Sequence, residues 1–359
     1  MQYADKIMNN KEKYQIFINK NQGDIPVWFE PFYLDLHSGP NNWDVLVYEG
    51  AGSAGAGSAG AGAADNGPTD AQSVTAAFVY TIKSSSDPLP GTVLKSNAKG
   101  RGAFTRIIKD LVKSPSIIMP GLVKFSGPLI IYPPGQKYEQ RLAYEKKIFN
   151  YFIKNLPFYK SFDMRFYYNV DNWLPFYWKG FTQSTCYSYE IALNRTQADI
   201  ENDFNSSLRN KIKKTKALVK NGTLKIVTPH IKDFIRVCSM SYKRQGLIMP
   251  FTEDFLIRRS EVMESQKQSL LMGALLDNRL VSVLWLIWDN KRAWLNMAGD
   301  DPEYRKCAAA QLLSYEALFY AKNVLKTQYF DFEGSMIESV ERTRRAFGAK
   351  QKQYFRIKK

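Results

Sequence analysis

Histidine is nearly absent from this chain. His37 and His230 are the two that occur, far apart in sequence and outside any metal-ligand spacing. Zinc chemistry is therefore not expected, and a Ser-His-Asp hydrolase would have to draw on one of these two rings. Cysteine is scarce as well. Cys186, Cys238 and Cys307 are scattered, odd in number and form no Cys-x-x-Cys pair, so they read as reduced thiols in a reducing compartment. No long apolar run is present. The longest, residues 280–288, falls far short of the ~20 residues that cross a bilayer. Charges interrupt the N-terminal segment, so no signal-peptide core is read there. The expected location is the cytoplasm, in solution or at the inner face of the membrane. Acidic residues are also outnumbered. The chain has 34 Asp and Glu against 50 Lys and Arg, a formal charge of +16. That surplus attracts nucleic acid, phosphorylated ligands or an anionic membrane without choosing among them.

What is present is enough apolar material for two cores. The chain has 359 residues, 45% of them hydrophobic and 14% aromatic, which suggests two domains. Residues 50–64 contain no large side chain and read as a flexible loop, whether natural or inserted. The segments 43–49 and 74–83 around it look like two arms of one hairpin. A second irregular stretch, about 84–116, contains Phe104, Ile107, Ile108, Leu111 and Val112 at i, i+3, i+4, i+7, i+8. That is one face of an amphipathic helix, packed on its own domain or lying on a membrane surface.

The second half reads more cleanly. Residues 204–220 form a basic helix closed by Asn221-Gly222. Helices at 231–245 and 252–266 follow, then strands at 270–276, 280–288 and 292–298, with an Asp277-Asn278 turn. A long helix over about 305–323, a strand at 327–333, a short helix at 338–347 and a last strand at 351–357 complete it. The first half echoes this order. Tyr144-Glu145 precedes Phe162-Asp163 as Tyr315-Glu316 precedes Phe330-Asp331. The interval from Asp163 to Gly180 equals that from Asp331 to Gly348, 17 positions in each. An internal duplication follows, with units at 1–195 and 196–359.

The strand-to-helix junction at 299–310 is the best anion site. Free N–H groups at a helix start suit a phosphate, small residues at Ala308, Ala309 and Ala310 let it approach, and Arg305 and Lys306 add charge beside Cys307. The same alanines are also ordinary helix formers. Arg209, Lys211, Lys213, Lys214 and Lys216 make a dense basic helix, either a solvated face or the dock of an anionic substrate. The aromatic run from Trp173 to Trp178 suits stacking on a sugar or a base, or a core.

Arg305-x-x-Ala308-x-Ala310 resembles the acyl-CoA pyrophosphate loop of the GNAT superfamily, with alanine where that pattern has its first glycine. A wider resemblance is to the FemAB-like acyltransferases. It rests on residues 28–43, 173–178, 208–214, 330–335 and 341–357. It implies an α/β fold of tandem GNAT-like domains, each a twisted mixed sheet flanked by helices. It also implies transfer from acyl-CoA, acetyl-CoA first among donors, to an amine or hydroxyl of a cell-envelope glycan or its lipid-linked precursor. The alternatives are aminoacyl transfer from aminoacyl-tRNA to a peptidoglycan precursor, and a non-catalytic anion-binding scaffold. GNAT chemistry needs no metal and no covalent intermediate. For that reaction Glu333, at the end of an apolar strand, is the candidate base, or an ordinary cap. Tyr315 is a candidate hydroxyl donor, or core. Ser335, Trp178, Arg209, Lys213 and Lys216 are candidate substrate contacts.

Overall fold

The computed structural model describes residues 8–50, 73–83, 89–91, 115–334 and 336–359. The small-residue stretch from 51 onward, the amphipathic stretch at 104–112 and Ser335 lie outside the described residues.

Local chemistry sets where elements begin. Helix α1 (Asn10–Lys20) starts from a capping box between Asn9 and Glu12. Helix α2 (Pro31–Ser38) has proline at its first position. Strands β1 (Trp43–Gly50) and β2 (Ser73–Lys83) pair antiparallel, the hairpin arms expected from sequence. The first half continues with β3 (Ser116–Ile118), β4 (Gly127–Ile130), α3 (Tyr138–Asn155), β5 (Ser161–Arg165), α4 (Leu174–Tyr177) and β6 (Thr182–Ala192). The second half has α5 (Gln197–Asn202), α6 (Ser206–Lys220), β7 (Leu224–Val227), α7 (Ile231–Arg244) and α8 (Glu253–Ser265). Then come β8 (Ser269–Leu276), β9 (Arg279–Trp288), β10 (Arg292–Asp300), α9 (Ala309–Tyr320), β11 (Tyr329–Asp331), α10 (Glu338–Ala346) and β12 (Lys350–Lys358). Asn205 and Thr252 cap α6 and α8 through their side chains. Asp277 and Asn278 both take positive φ, 49° and 64°, the geometry of a tight hairpin turn that follows the strand twist.

These strands join into one mixed sheet, ordered β1-β2-β3-β5-β12-β6-β11-β10-β9-β8-β7, with β4 on β2. The two Phe-Asp strands of the repeat are β5 and β11, and the two terminal strands are β6 and β12. The terminal strands are exchanged. β12 pairs with β5, β6 pairs with β11, and β6 and β12 lie antiparallel side by side. Hydrogen bonding therefore crosses from one half of the chain to the other at the centre of the sheet.

Alternation along β9 serves two cores. Val283, Trp285 and Ile287 face one, and Leu284 and Leu286 the other. The first core is shared by both halves: Trp28, fully buried, meets Trp294 edge-on with ring centroids 5.3 Å apart. The second is closed by α6 and α9.

Two expected elements differ. The long helix over 305–323 is broken. Pro302–Cys307 is a 3-10 turn, Ala308 sits at φ 58° in the left-handed region, and the α-helix begins at Ala309. Asp301 caps the 3-10 turn by accepting the Glu303 N–H, and Ala308 separates that turn from the α-helix. The strand expected at 327–333 is only Tyr329–Asp331, which leaves Glu333 two residues beyond it.

Candidate active site

β10 and β11 run parallel, but they pair over only three positions, Arg292–Trp294 against Tyr329–Asp331. β10 then continues to Asp300 while β11 stops. On its other side β10 slips register against β9 between Leu295 and Met297. Asn296 is the extra residue of that bulge, and a bulge re-aims a side chain. Its amide Nδ2 spans the gap and donates to Glu333 Oε1 at 2.6 Å. Glu333 has φ 56° and is followed by Gly334 at φ 65°. A non-glycine residue in the left-handed region is a strained position of the kind that clusters at functional sites. Gly334 is not a hinge but a close approach: a Cβ there would lie 2.2 Å from Tyr187 O.

Charged groups from both halves converge behind this pair. Lys124, nearly buried, donates through Nζ to the Glu333 carbonyl and to Ser188 Oγ. Ser188 in turn donates to Asp331 Oδ1 at 2.6 Å, and Tyr168 donates to Asp331 Oδ2 at 2.7 Å. Asp331 Oδ1 also accepts the Glu333 N–H at 2.8 Å. Asp331 thus supports the backbone that carries Glu333. Desolvation pushes the Glu333 carboxyl up to about 7, against the Lys124 charge and the Asn296 hydrogen bond, which lower it. Desolvation likewise lowers Lys124, opposed by Asp331 and Glu333, and lowers Arg344 to about 10. A carboxyl poised near neutrality can accept or give a proton at physiological pH.

The junction before α9 holds the other candidate site. Among the described residues no side chain caps the start of α9. Lys306 is exposed beside it. Arg305 is not free, because its Nε donates to Asp300 Oδ2 at 2.7 Å. Ala308 and Ala309 are buried, and the Cys307 carbonyl accepts from Thr215 Oγ1 of α6 at 2.8 Å.

Residues 202–337 match the acetyltransferase (GNAT) domain family. Among solved structures, FemX aligns over 97% of this chain and 96% of its own, with TM-score 0.60 and 8% identity. The chain has a FemAB-like GNAT fold. Two further likenesses are weaker. The C-terminal domain of a putative lysylphosphatidylglycerol synthetase from Agrobacterium fabrum gives TM-score 0.47 at 9% identity, over 97% of this chain and 92% of that one. A tandem GNAT protein from the clavulanic acid biosynthesis pathway gives 0.44 at 10%, over 81% and 80%. No curated protein sequence matches the chain.

Within this GNAT fold the other expected residues are scattered. Tyr315 belongs to the core under α9, on the opposite face of the sheet from Arg259 and Trp285, which flank Asn296. Its hydroxyl donates to Glu201 Oε1 at 2.5 Å and accepts from Gln197 at 2.9 Å. The fold does not bring it to Glu333. On α6, Arg209 donates to the carbonyls of Asn202 and Phe204, and the Lys216 ammonium sits 3.7 Å from the Tyr315 ring centroid. Lys211, Lys213 and Lys214 are exposed. The aromatic run divides: Phe176 is buried, while Trp178 is 55% exposed. Trp178 lines a hollow of about 580 Å³ between α3 and α4, together with Tyr138, Asp171 and Trp173. Ser335 lies outside the described residues.

Asn296, Lys124, Asp331 and Arg259 were missed by sequence reasoning. Asn296 and Asp331 left a signal, as polar residues inside apolar strands. Lys124 and Arg259 left none, because their burial depends on elements distant in the chain. Among the described residues no helix is long and apolar enough to cross a membrane.

Proposed function

We propose that the chain is an acyltransferase that moves an acyl group from acyl-CoA to an amine or hydroxyl of a cell-envelope glycan or its precursor. The observation that carries this reading is Glu333 beyond the parted β10 and β11, held by Asn296 and raised to about 7. In this reading the acceptor amine attacks the thioester carbonyl and forms the new C–N bond. Glu333 accepts the proton that the amine loses. The C–S bond breaks, and the CoA thiolate leaves and takes a proton from solvent. Amides at the uncapped start of α9, with Lys306, would hold the donor's pyrophosphate. The exposed Trp178 face, flanked by Asp171, offers a sugar both an apolar ring and a carboxylate.

One observation favours a second reading. Lys211, Lys213 and Lys214 form an exposed cationic face on α6, which suits an aminoacyl-tRNA donor. Calorimetry with acetyl-CoA, longer acyl-CoAs and aminoacyl-tRNA separates the two. Binding of a CoA thioester supports the first. Binding of aminoacyl-tRNA alone moves the second ahead, and failure of all donors leaves an anion-binding scaffold.

A further inference from the structure

Arg259 lies on α8 and is fully buried. A buried guanidinium is expensive unless it is paired, yet among the described residues no carboxylate lies within ion-pair distance of it. Its contacts are neutral. NH2 donates to Asn296 Oδ1 at 2.5 Å and to Tyr33 OH at 3.4 Å. Nε donates to His37 Nε2 at 3.3 Å, and the guanidinium carbon stacks 4.1 Å from the Trp285 ring centroid. NH1 has no partner. For stability alone, an apolar side chain of similar size would serve this position as well or better.

We propose that Arg259 is a positioning residue for Glu333, acting through the side-chain amide of Asn296. The reason is hydrogen-bond polarity. Asn296 has a donor end and an acceptor end, and arginine can only donate. Arg259 therefore holds the amide oxygen toward itself and leaves the NH2 for the Glu333 carboxylate. The opposite orientation would set two oxygens against each other and would favour a protonated Glu333. His37 fixes the arginine in turn. Its Nε2 accepts from Arg259, so its proton sits on Nδ1 and is donated to Gly121 O at 2.9 Å. Burial and the Arg259 charge keep the ring neutral. Each orientation from Gly121 to Glu333 thus follows from the one before it.

This inference rests on the reading of Glu333 as the base, but it is tested without turnover. The measurement is a 13C NMR titration of the Glu333 carboxyl in the full chain. The groups facing that carboxyl are Lys124, Asp331, Arg259, Arg344, Tyr33 and Asn296, and all but the substituted ones stay in place. Arg259→Met should raise the Glu333 midpoint by about one unit, a tenfold change in ionisation. Arg259→Lys keeps the charge but loses the planar fork, and should also raise it. In an Asn296→Leu background, Arg259→Met should add much less. An unchanged midpoint in Arg259→Lys, or an undiminished effect without Asn296, would mean that Arg259 acts by charge alone and would overturn the proposal. Should the methionine variant not fold, the lysine and leucine variants carry the test. The pH profile of kcat should move with the midpoint. A midpoint that moves in a chain with no transferase activity would keep the positioning role and overturn the acyltransferase reading.

Discussion

Asn296 and Glu333 meet at 2.6 Å across a gap that two parallel strands leave by parting. Neither residue sits in regular pairing: one is the extra residue of a bulge, the other lies beyond a strand end in the left-handed region. Their contact bridges the parted strands with a side-chain hydrogen bond.

Glu333→Gln should leave the fold intact and lower turnover by about 10²–10⁴-fold, the usual share of a positioned base. Wild-type activity should rise with pH through about 7 as the carboxyl ionises. The stability effect has the opposite slope. The folded value lies above the ~4.3 of an unfolded glutamate, so the stability contributed by this group is full below ~4.3 and is lost as pH rises through about 7. Glu333→Gln should flatten that loss in denaturant midpoints measured from pH 4 to 8.

Ala308 occupies the left-handed region at φ 58°, which costs a non-glycine residue roughly 1–2 kcal/mol. Ala308→Gly should therefore stabilise the chain by about 1 kcal/mol. Ala308→Val should destabilise it, so valine there is a poor probe of donor binding. Ala310→Val is the cleaner one, since it stays within the helix, and should weaken CoA binding without lowering the melting temperature by much. Arg305→Ala removes an exposed pair with Asp300 and should change stability by less than ~1 kcal/mol. Thermal melts and calorimetry on these variants check both orders.

Gly334→Ala should be among the most damaging single changes. The added Cβ would lie 2.2 Å from Tyr187 O and 2.5 Å from Ser188 Cα, at φ 65°. Backbone on β6 would have to move, and a loss above ~2 kcal/mol is expected in chemical denaturation. A loss below ~0.5 kcal/mol would mean that this backbone approach is not tight.

The basic helix separates into structural and free charges. Arg209→Gln should lower stability, because it removes the contacts to the Asn202 and Phe204 carbonyls. Lys213→Gln should leave stability unchanged. If α6 docks an anionic donor or acceptor, it should also weaken that binding and reduce its salt dependence. Equal affinity for the lysine and glutamine forms at low salt would return this face to solvent.

The sequence by itself marked several elements and pointed to a repeat. Capping residues, turn residues and apolar periodicity act within a few positions, so Thr252 and Asp277-Asn278 mark boundaries before any packing occurs. Equal spacing from Phe-Asp to glycine in both halves was likewise readable from the sequence, as the sign of a repeat. Glu333 was legible as a carboxylate after an apolar strand. Three things were decided only by the tertiary structure. The exchange of β6 and β12 is a choice of pairing partner between strands far apart in the chain, which no local pattern encodes. The left-handed break at Ala308 hides behind alanine, a helix former that gives no local sign of a positive φ. The surroundings of Glu333 come from Lys124, Ser188, Arg259 and Asn296, spread over more than 170 positions. A hydrogen-bond network of that span has no local pattern, since what unites its members is burial against elements that the chain reaches only on folding.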